Sequence, residues 1–303
     1  MITNRKTQAA FVSICSNVVL VFLKLGVGVA SQSASITSEA LHSFTDLLAS
    51  VIAYFSVRKA SEPADFEHQY GHGKFEDLSG VIEGLLILLA AAYIIYDALE
   101  KLSQGRSTPL QPALGIGVML FSVVVNIGVS QYLFKVGRET DSMALLADAE
   151  HLRTDIYTSV GVLVGLVAIH VTGLSFLDPL VALLVAGMII QAGIKLCMAS
   201  GKKLLDSSLP EEELERIHTT LEAFIPDVIV AYTALKTRKA GSDRFLELTI
   251  LLPPALSIAE GHSRCDALEE ALKQQFSNLW IMIHMEPYLQ EEATHDKNQQ
   301  TIA

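Results

Sequence analysis

Residues 81–99 read VIEGLLILLAAAYIIYDAL, and residues 176–196 read FLDPLVALLVAGMIIQAGIKL. A helix that crosses a bilayer needs about 20 mostly apolar residues. Both stretches meet that length. Working outward from them, the apolar segments fall at roughly 9–30, 36–57, 77–99, 112–136, 146–170 and 176–200. One such segment could be a buried helix of a soluble protein. Six in succession with short connections predict an α-helical membrane protein with six transmembrane helices. The composition agrees: 50% of residues are hydrophobic and 18% charged, where soluble domains carry about 25% charge.

The net charge is -11, from 22 basic and 33 acidic residues. Nucleic-acid binding needs a basic face, so no nucleic-acid partner is expected. Cys15, Cys197 and Cys265 stand at no ligand spacing, which excludes a disulfide framework and a cysteine-based zinc module. The start, MITNRKTQAA, has no small-residue cleavage site, so no cleavable signal peptide is expected. Basic residues divide unevenly between the two sides. Arg5, Lys6, Arg58, Lys59, Lys74, Lys135, Arg138, Lys202 and Lys203 fall on one side, and only Lys101 and Arg106 on the other. The excess marks the cytoplasmic side and predicts that both termini lie there, in the inner (plasma) membrane.

Beyond Asp206 the pattern changes. LPEEELERIHTTLEAF (209–224) has helical periodicity with acids in its first turn. DVIVAYTALKTR (227–238) and DRFLELTILL (243–252) alternate and are β-branched, as strands are. SIAEGHSRCDALEEALKQQF (257–276) reads as a second amphipathic helix, and LWIMIHMEP (279–287) as a last strand. The expected order is αββαβ, a small cytoplasmic α+β domain. The domains are therefore placed at 1–206 (membrane), 207–291 (cytoplasmic) and 292–303 (a polar, disordered tail).

Ionisable residues inside a span are costly and point to function. The second segment carries His42 and Asp46, and the fifth carries His151 and Asp155, each pair four residues apart. Residues four apart share one helical face. Two such faces opposed would surround one point with two imidazoles and two carboxylates. That donor set suits tetrahedral zinc better than magnesium, calcium or manganese, which prefer oxygen shells. The bland reading, His–Asp contacts that only hold helices together, is expensive for four buried ionisable groups. Glu39 and Asp148 are placed near the membrane boundary. Arg153 is two positions from both His151 and Asp155 and points elsewhere on the helix. Lys24 and Asn17 are read as interhelical polar contacts.

A second cluster, Asp65, His68 and His72, lies in the loop PADFEHQYGHGKFED, where Gly71 and Gly73 let the backbone wrap closely. A third is weaker. His284 and Glu286 share a face of the last strand, and His262 sits on the second helix. An intramembrane protease would need HExxH with its general base, and no such motif occurs.

These residues resemble the cation diffusion facilitators, the proton-coupled exporters of zinc and heavy metals. The resemblance runs from about residue 10 to Pro287. It is carried by SEALHSFTDLLAS (38–50), PADFEHQYGHGKFE (63–76), AEHLRTDIYTSVGVL (149–163), the DP of FLDPLVALLVAGMII, KKLLDSSLP (202–210), TRKAGSDRF (237–245) and HMEP (284–287). Within the family it is most similar to the bacterial ferrous-iron/zinc efflux branch. The resemblance implies a homodimer with six spans per protomer, a metallochaperone-like cytoplasmic domain, and exchange of a cytoplasmic divalent metal for protons by alternating access. It implies a transport site of His42, Asp46, His151 and Asp155, a loop metal site of Asp65, His68 and His72, and an interlock of Lys74 with Asp206. Many bacterial members have Asp where this chain has His42, so the departure favours Zn2+. Cytoplasmic-domain ligands map to His262, His284 and Glu286, but Thr233 and Thr249 stand where histidines are expected. A weakened regulatory site follows from that. The expected function is proton-coupled export of a divalent metal, Zn2+ first, with Fe2+, Cd2+, Co2+ or Mn2+ as alternatives. The reading of another class is a non-transporting, metal-sensing scaffold of the same fold. No organic cofactor is expected; the partners are metal ions, protons, lipid and a second copy.

Overall fold

A computed structural model describes residues 2–30, 34–104, 112–172 and 177–289. Six long helices come first: α1 (Ile2–Ala30), α2 (Ala34–Ala60), α3 (Lys74–Gln104), α4 (Pro112–Thr140), α5 (Met143–Thr172) and α6 (Leu177–Leu204). They form one compact unit that ends at Leu205, and a second unit begins at Asp206. Among the described residues, four windows are long and apolar enough to cross a membrane: Arg5–Val27, Lys74–Glu100, Leu120–Thr140 and Ala182–Leu204.

Local chemistry sets the helix ends. Pro112 opens α4, where its missing N–H costs nothing. Arg58 and Lys59 close α2 against the negative end of its dipole. Glu76 and Asp77 occupy the first turn of α3, at the positive end. Asp141 adopts a left-handed φ of 54° between α4 and α5, and Ser142 N donates to Gly137 O at 2.9 Å. That turn lets α5 begin soon after α4 ends and makes the two helices neighbours.

The packing is inverted relative to a soluble bundle. Large apolar side chains such as Phe22, Leu89, Val124 and Leu184 face outward, each more than 65% exposed. Ala9, Ala10, Ala53, Ala91, Ala147, Ala149 and Ala186 are inside, with Ser13, Asn17 and Ser50. Small and polar residues pack between helices when the surroundings are lipid, because the tails are as apolar as leucine. Helices α3 and α6 approach closely. A Cβ on Gly84 would lie 3.1 Å from Cys197 N and 3.2 Å from Gly193 O. One turn earlier, Gly80 meets Ser200 of α6. The segment Gly80–Val81–Ile82–Glu83–Gly84 is thus a small-xxx-small contact.

The second unit contains α7 (Glu211–Ala223), β1 (Ala231–Ala240), β2 (Asp243–Leu252), α8 (Ile258–Gln275) and β3 (Leu279–Pro287). This is the expected αββαβ order. Strand β1 pairs antiparallel with β2, and β2 pairs parallel with β3. Leu246, Leu248, Ile250 and Leu252 point from β2 into a core with Ile217 and Leu221 of α7 and Leu268 and Leu272 of α8. Ser257 and Glu260 form a reciprocal capping box at the start of α8. On β3 the other face carries Trp280, Met282, His284 and Glu286, all exposed. The register aligns Thr233, Thr249 and His284 in one row across the three strands.

Candidate metal centre

Helices α2 and α5 pack together. Ligand atoms of Asp46, His151 and Asp155 lie within 4.8 Å of one another. His151 Nε2 stands 3.5 Å from Asp46 Oδ1. Asp46, His151 and Asp155 are at most 9% exposed. Neither ring nitrogen of His151 makes a hydrogen bond among the described residues. A buried imidazole whose nitrogens make no hydrogen bond, beside carboxylates, is an arrangement that a cation satisfies. His42 occupies α2 one turn before Asp46, but its side chain, like that of Glu39, lies outside the described residues.

A buried polar layer supports the centre from α1. Asn17 Nδ2 donates to Ser50 Oγ at 2.6 Å and approaches the Asp46 carbonyl at 3.4 Å. The Ser50 hydroxyl lies 3.0 Å from Asp148 Oδ1, 3.2 Å from the Asp46 carbonyl and 2.9 Å from Ser13 Oγ. Lys24 Nζ donates to Ser43 Oγ at 2.7 Å. Asn17 and Lys24 are therefore interhelical contacts, as expected. Arg153 points away from the centre, with Nε donating to Tyr157 Oη at 2.6 Å. Asp148 is fully buried among the helices and bonded to Ser50. It precedes His151 by three residues and Asp155 by seven, so it lies on the same face of α5.

Sequence reasoning passes over Glu83. It is fully buried, and among the described residues neither carboxylate oxygen has a hydrogen-bond partner. It lies on α3, which packs against α5. Its only signal in the sequence is a single acid four positions from Ser79 in an otherwise apolar run. The Lys6–Glu76 pair escapes the sequence as well: it is buried at 2.9 Å, and Ser142 Oγ donates to the other Glu76 oxygen at 2.5 Å.

The loop cluster is built locally. Asp65 Oδ1 accepts from the backbone N–H of Glu67 at 3.0 Å and of His68 at 2.6 Å. The His68 N–H holds the Asp65 carboxyl below its ordinary pKa, and the salt-linked Lys59 does the same for Glu62. Gly71, at φ 81°, turns the chain back so that His72 faces Asp65, Nε2 to Oδ2 at 3.1 Å. The other ring nitrogen of His72 lies 3.4 Å from the Glu62 carbonyl, which sets the ring orientation. His68 Nδ1 is 3.4 Å from Asp65, and the two imidazole centroids are 4.5 Å apart. Asp65, His68 and His72 thus converge as a second candidate cation site.

In the cytoplasmic unit the convergence is partial. His284 Nε2 lies 3.3 Å from Glu286 Oε1, whereas His262 faces Asp266 at 3.9 Å. Among the described residues of this unit, no three potential ligands meet within one protomer. Lys74 Nζ donates to the Leu204 carbonyl at 3.3 Å, and Asp206 faces Arg238 at 3.6 Å.

Comparison with known proteins follows the same division. Residues 10–205 match the cation efflux transmembrane domain, and residues 209–288 match the cation efflux protein cytoplasmic domain. An uncharacterized transporter of Synechocystis, sll1263, is 37% identical over 92% of this chain and 89% of its own. The cation-efflux pump FieF of Pectobacterium atrosepticum is 31% identical over 93% of this chain and 92% of its own. A solved structure of CzrB is 40% identical, covering 27% of this chain and 100% of its own, with a TM-score of 0.26.

Proposed function

The chain belongs to the cation diffusion facilitator family and is a cation efflux transporter rather than an enzyme, and from that premise we propose that it exports Zn2+ from the cytoplasm in exchange for protons. The observation that carries this reading is the convergence of Asp46, His151 and Asp155, with His42 one turn away on α2. Two imidazoles and two carboxylates complete a tetrahedral set with no position left for a reactive water, which suits carriage rather than catalysis. Zinc takes neutral imidazoles and ionised carboxylates, so loading the site displaces protons. With the site open to the cytoplasm, metal replaces protons. With it open to the outside, incoming protons replace metal, and the proton gradient drives export.

In this reading all six helices cross the inner membrane, both termini are cytoplasmic, and two copies form a homodimer. The Asp65–His68–His72 loop holds a second ion at the cytoplasmic face. Lys74 and Asp206 interlock the membrane and cytoplasmic domains. His262, His284 and Glu286 form at most a weak regulatory site, because Thr233 and Thr249 fill the row beside His284 and threonine is a poor zinc ligand.

The test is flux into proteoliposomes with a zinc dye inside and an imposed pH gradient, comparing wild type with Asp155→Ala and adding Fe2+ and Mn2+ in parallel. Zinc flux that follows the gradient and vanishes in the variant is expected. Equal flux in the variant overturns the site, and preferential flux of another metal replaces zinc as cargo. No flux of any metal in wild type moves the reading to the scaffold.

A further inference from the structure

A groove runs between α4 and α5 on the outer surface of the membrane unit. Its floor includes Ile127, Phe134 and Ile156, and its rim carries Lys135, Arg138 and Arg153. Both guanidinium groups address one ring: Arg138 lies 5.7 Å and Arg153 5.9 Å from the Phe134 centroid. Tyr157 steadies Arg153 through its hydroxyl, 2.6 Å from Nε, and through its ring face at 5.5 Å.

The acids nearby neutralise this rim only in part. Glu139 is paired with Arg5 at 2.8 Å, and Glu150 lies 3.6 Å from Arg153. Among the described residues, neither Lys135 nor Arg138 has an acid within ion-pair distance. Counting Arg5, four cations (Arg5, Lys135, Arg138 and Arg153) face three acids (Glu139, Asp141 and Glu150) at this end of α4, in a chain whose net charge is -11. The local excess is opposite in sign to the whole molecule.

Position adds a constraint. Arg138 lies in the last turn of α4, at the C-terminal end of the apolar window Leu120–Thr140. Arg153 begins on the neighbouring helix, beside the transport centre, and turns its half-exposed head to this groove. An outward-facing arginine on a membrane helix is costly unless it reaches polar headgroups. An apolar floor that meets a cationic rim at a membrane surface has the chemistry of one molecule class, a phospholipid with an anionic headgroup.

We propose that the α4–α5 groove binds an anionic phospholipid, its phosphate held by Arg138, Arg153 and Lys135 and an acyl chain lying over Ile127 and Ile156. The leaflet follows from the topology proposed above and is the cytoplasmic one. The site itself requires only that the C-terminal end of α4 lie at a membrane surface.

The experiment uses the full chain in detergent, titrated with phosphatidylglycerol, phosphatidylcholine or inorganic phosphate and read by native mass spectrometry. Wild type is expected to retain phosphatidylglycerol selectively. Each neutralised cation should weaken retention by about fivefold, in Arg138→Gln, in Lys135→Gln and in their combination, while Lys202→Gln on α6 changes nothing. Equal retention of the two lipids, or variants that bind like wild type, overturns the proposal. So does full competition by inorganic phosphate, which would make this a free-anion site. A phosphatidylglycerol carrying a photoreactive acyl chain should label segments 127–139 and 153–157 of wild-type protein, and labelling elsewhere overturns the site even if a variant fails to fold. None of these readouts depends on metal flux, so failure of the transport reading and failure of this one are separable.

Discussion

His151 Nε2 lies 3.5 Å from Asp46 Oδ1, although the two residues sit on different helices, far apart in the chain. The contact forms only when α2 and α5 are packed, and α1 holds that packing through Asn17 and Ser50. The centre is therefore as good as its supporting layer.

Ser50→Ala tests that layer. It removes the hydroxyl beside Asp148 and the Asp46 carbonyl without touching a candidate ligand. Loss of an outer-shell partner weakens metal affinity by about 10–100-fold. Zinc titration of the purified variant should show this at the membrane site, with the loop site unchanged.

Glu83 separates stability from function. A buried carboxyl whose oxygens have no partner costs free energy, so replacing it with an apolar residue of similar size is neutral or stabilising. Glu83→Leu should unfold at the same temperature as wild type or higher. If the group serves the transport cycle, the same variant should transport more slowly. Full flux at raised stability would leave Glu83 with no part in the cycle.

Asp65 sets a pH limit for the loop. Its carboxyl is held below its ordinary pKa by the His68 N–H. A depressed carboxylate contributes order above its unfolded pKa and loses it as pH falls through the folded one. The His68 amide signal is thus expected to show no Asp65-linked step from about pH 7 down to about 4, and one only below that. In Asp65→Asn that acid step should be gone.

Glycine tests the α3–α6 contact. A side chain on Gly84 meets backbone atoms of Cys197 and Gly193, which cannot swing aside. Gly84→Val should destabilise by about 1–3 kcal/mol through overpacking, visible as a lower unfolding temperature in detergent. Gly128→Ala, where nothing lies within 4 Å, should not destabilise in that way.

Much of this arrangement is legible in the amino-acid sequence. The six helices announce themselves by length and hydropathy, and the αββαβ unit by its change of period. The loop cluster is legible because Asp65, His68 and His72 are close neighbours in the chain. Asp148 is passed over as a neighbour of the centre for a specific reason: helical spacing picks out the His151–Asp155 pair, and the bond that ties Asp148 to Ser50 of α2 is not encoded in the period of α5. Glu83 is hidden because one acid barely lowers the hydropathy of its segment, and only the packed helices show that its oxygens find no hydrogen-bond partner among the described residues. The division of labour at Lys6–Glu76–Ser142 needs three helices at once, which no single-segment period encodes.

The glycine contact between α3 and α6 also has a mechanical meaning. Backbones that meet across Gly80, Gly84 and Gly193 leave no side-chain slack in which to slide. These two helices must travel as one strut. In the alternating-access cycle proposed above, a rearrangement that turns the Asp46–His151–Asp155 centre from one side to the other is then taken up where the strut meets its neighbours, at the α2–α3 and α5–α6 seams, and not within it.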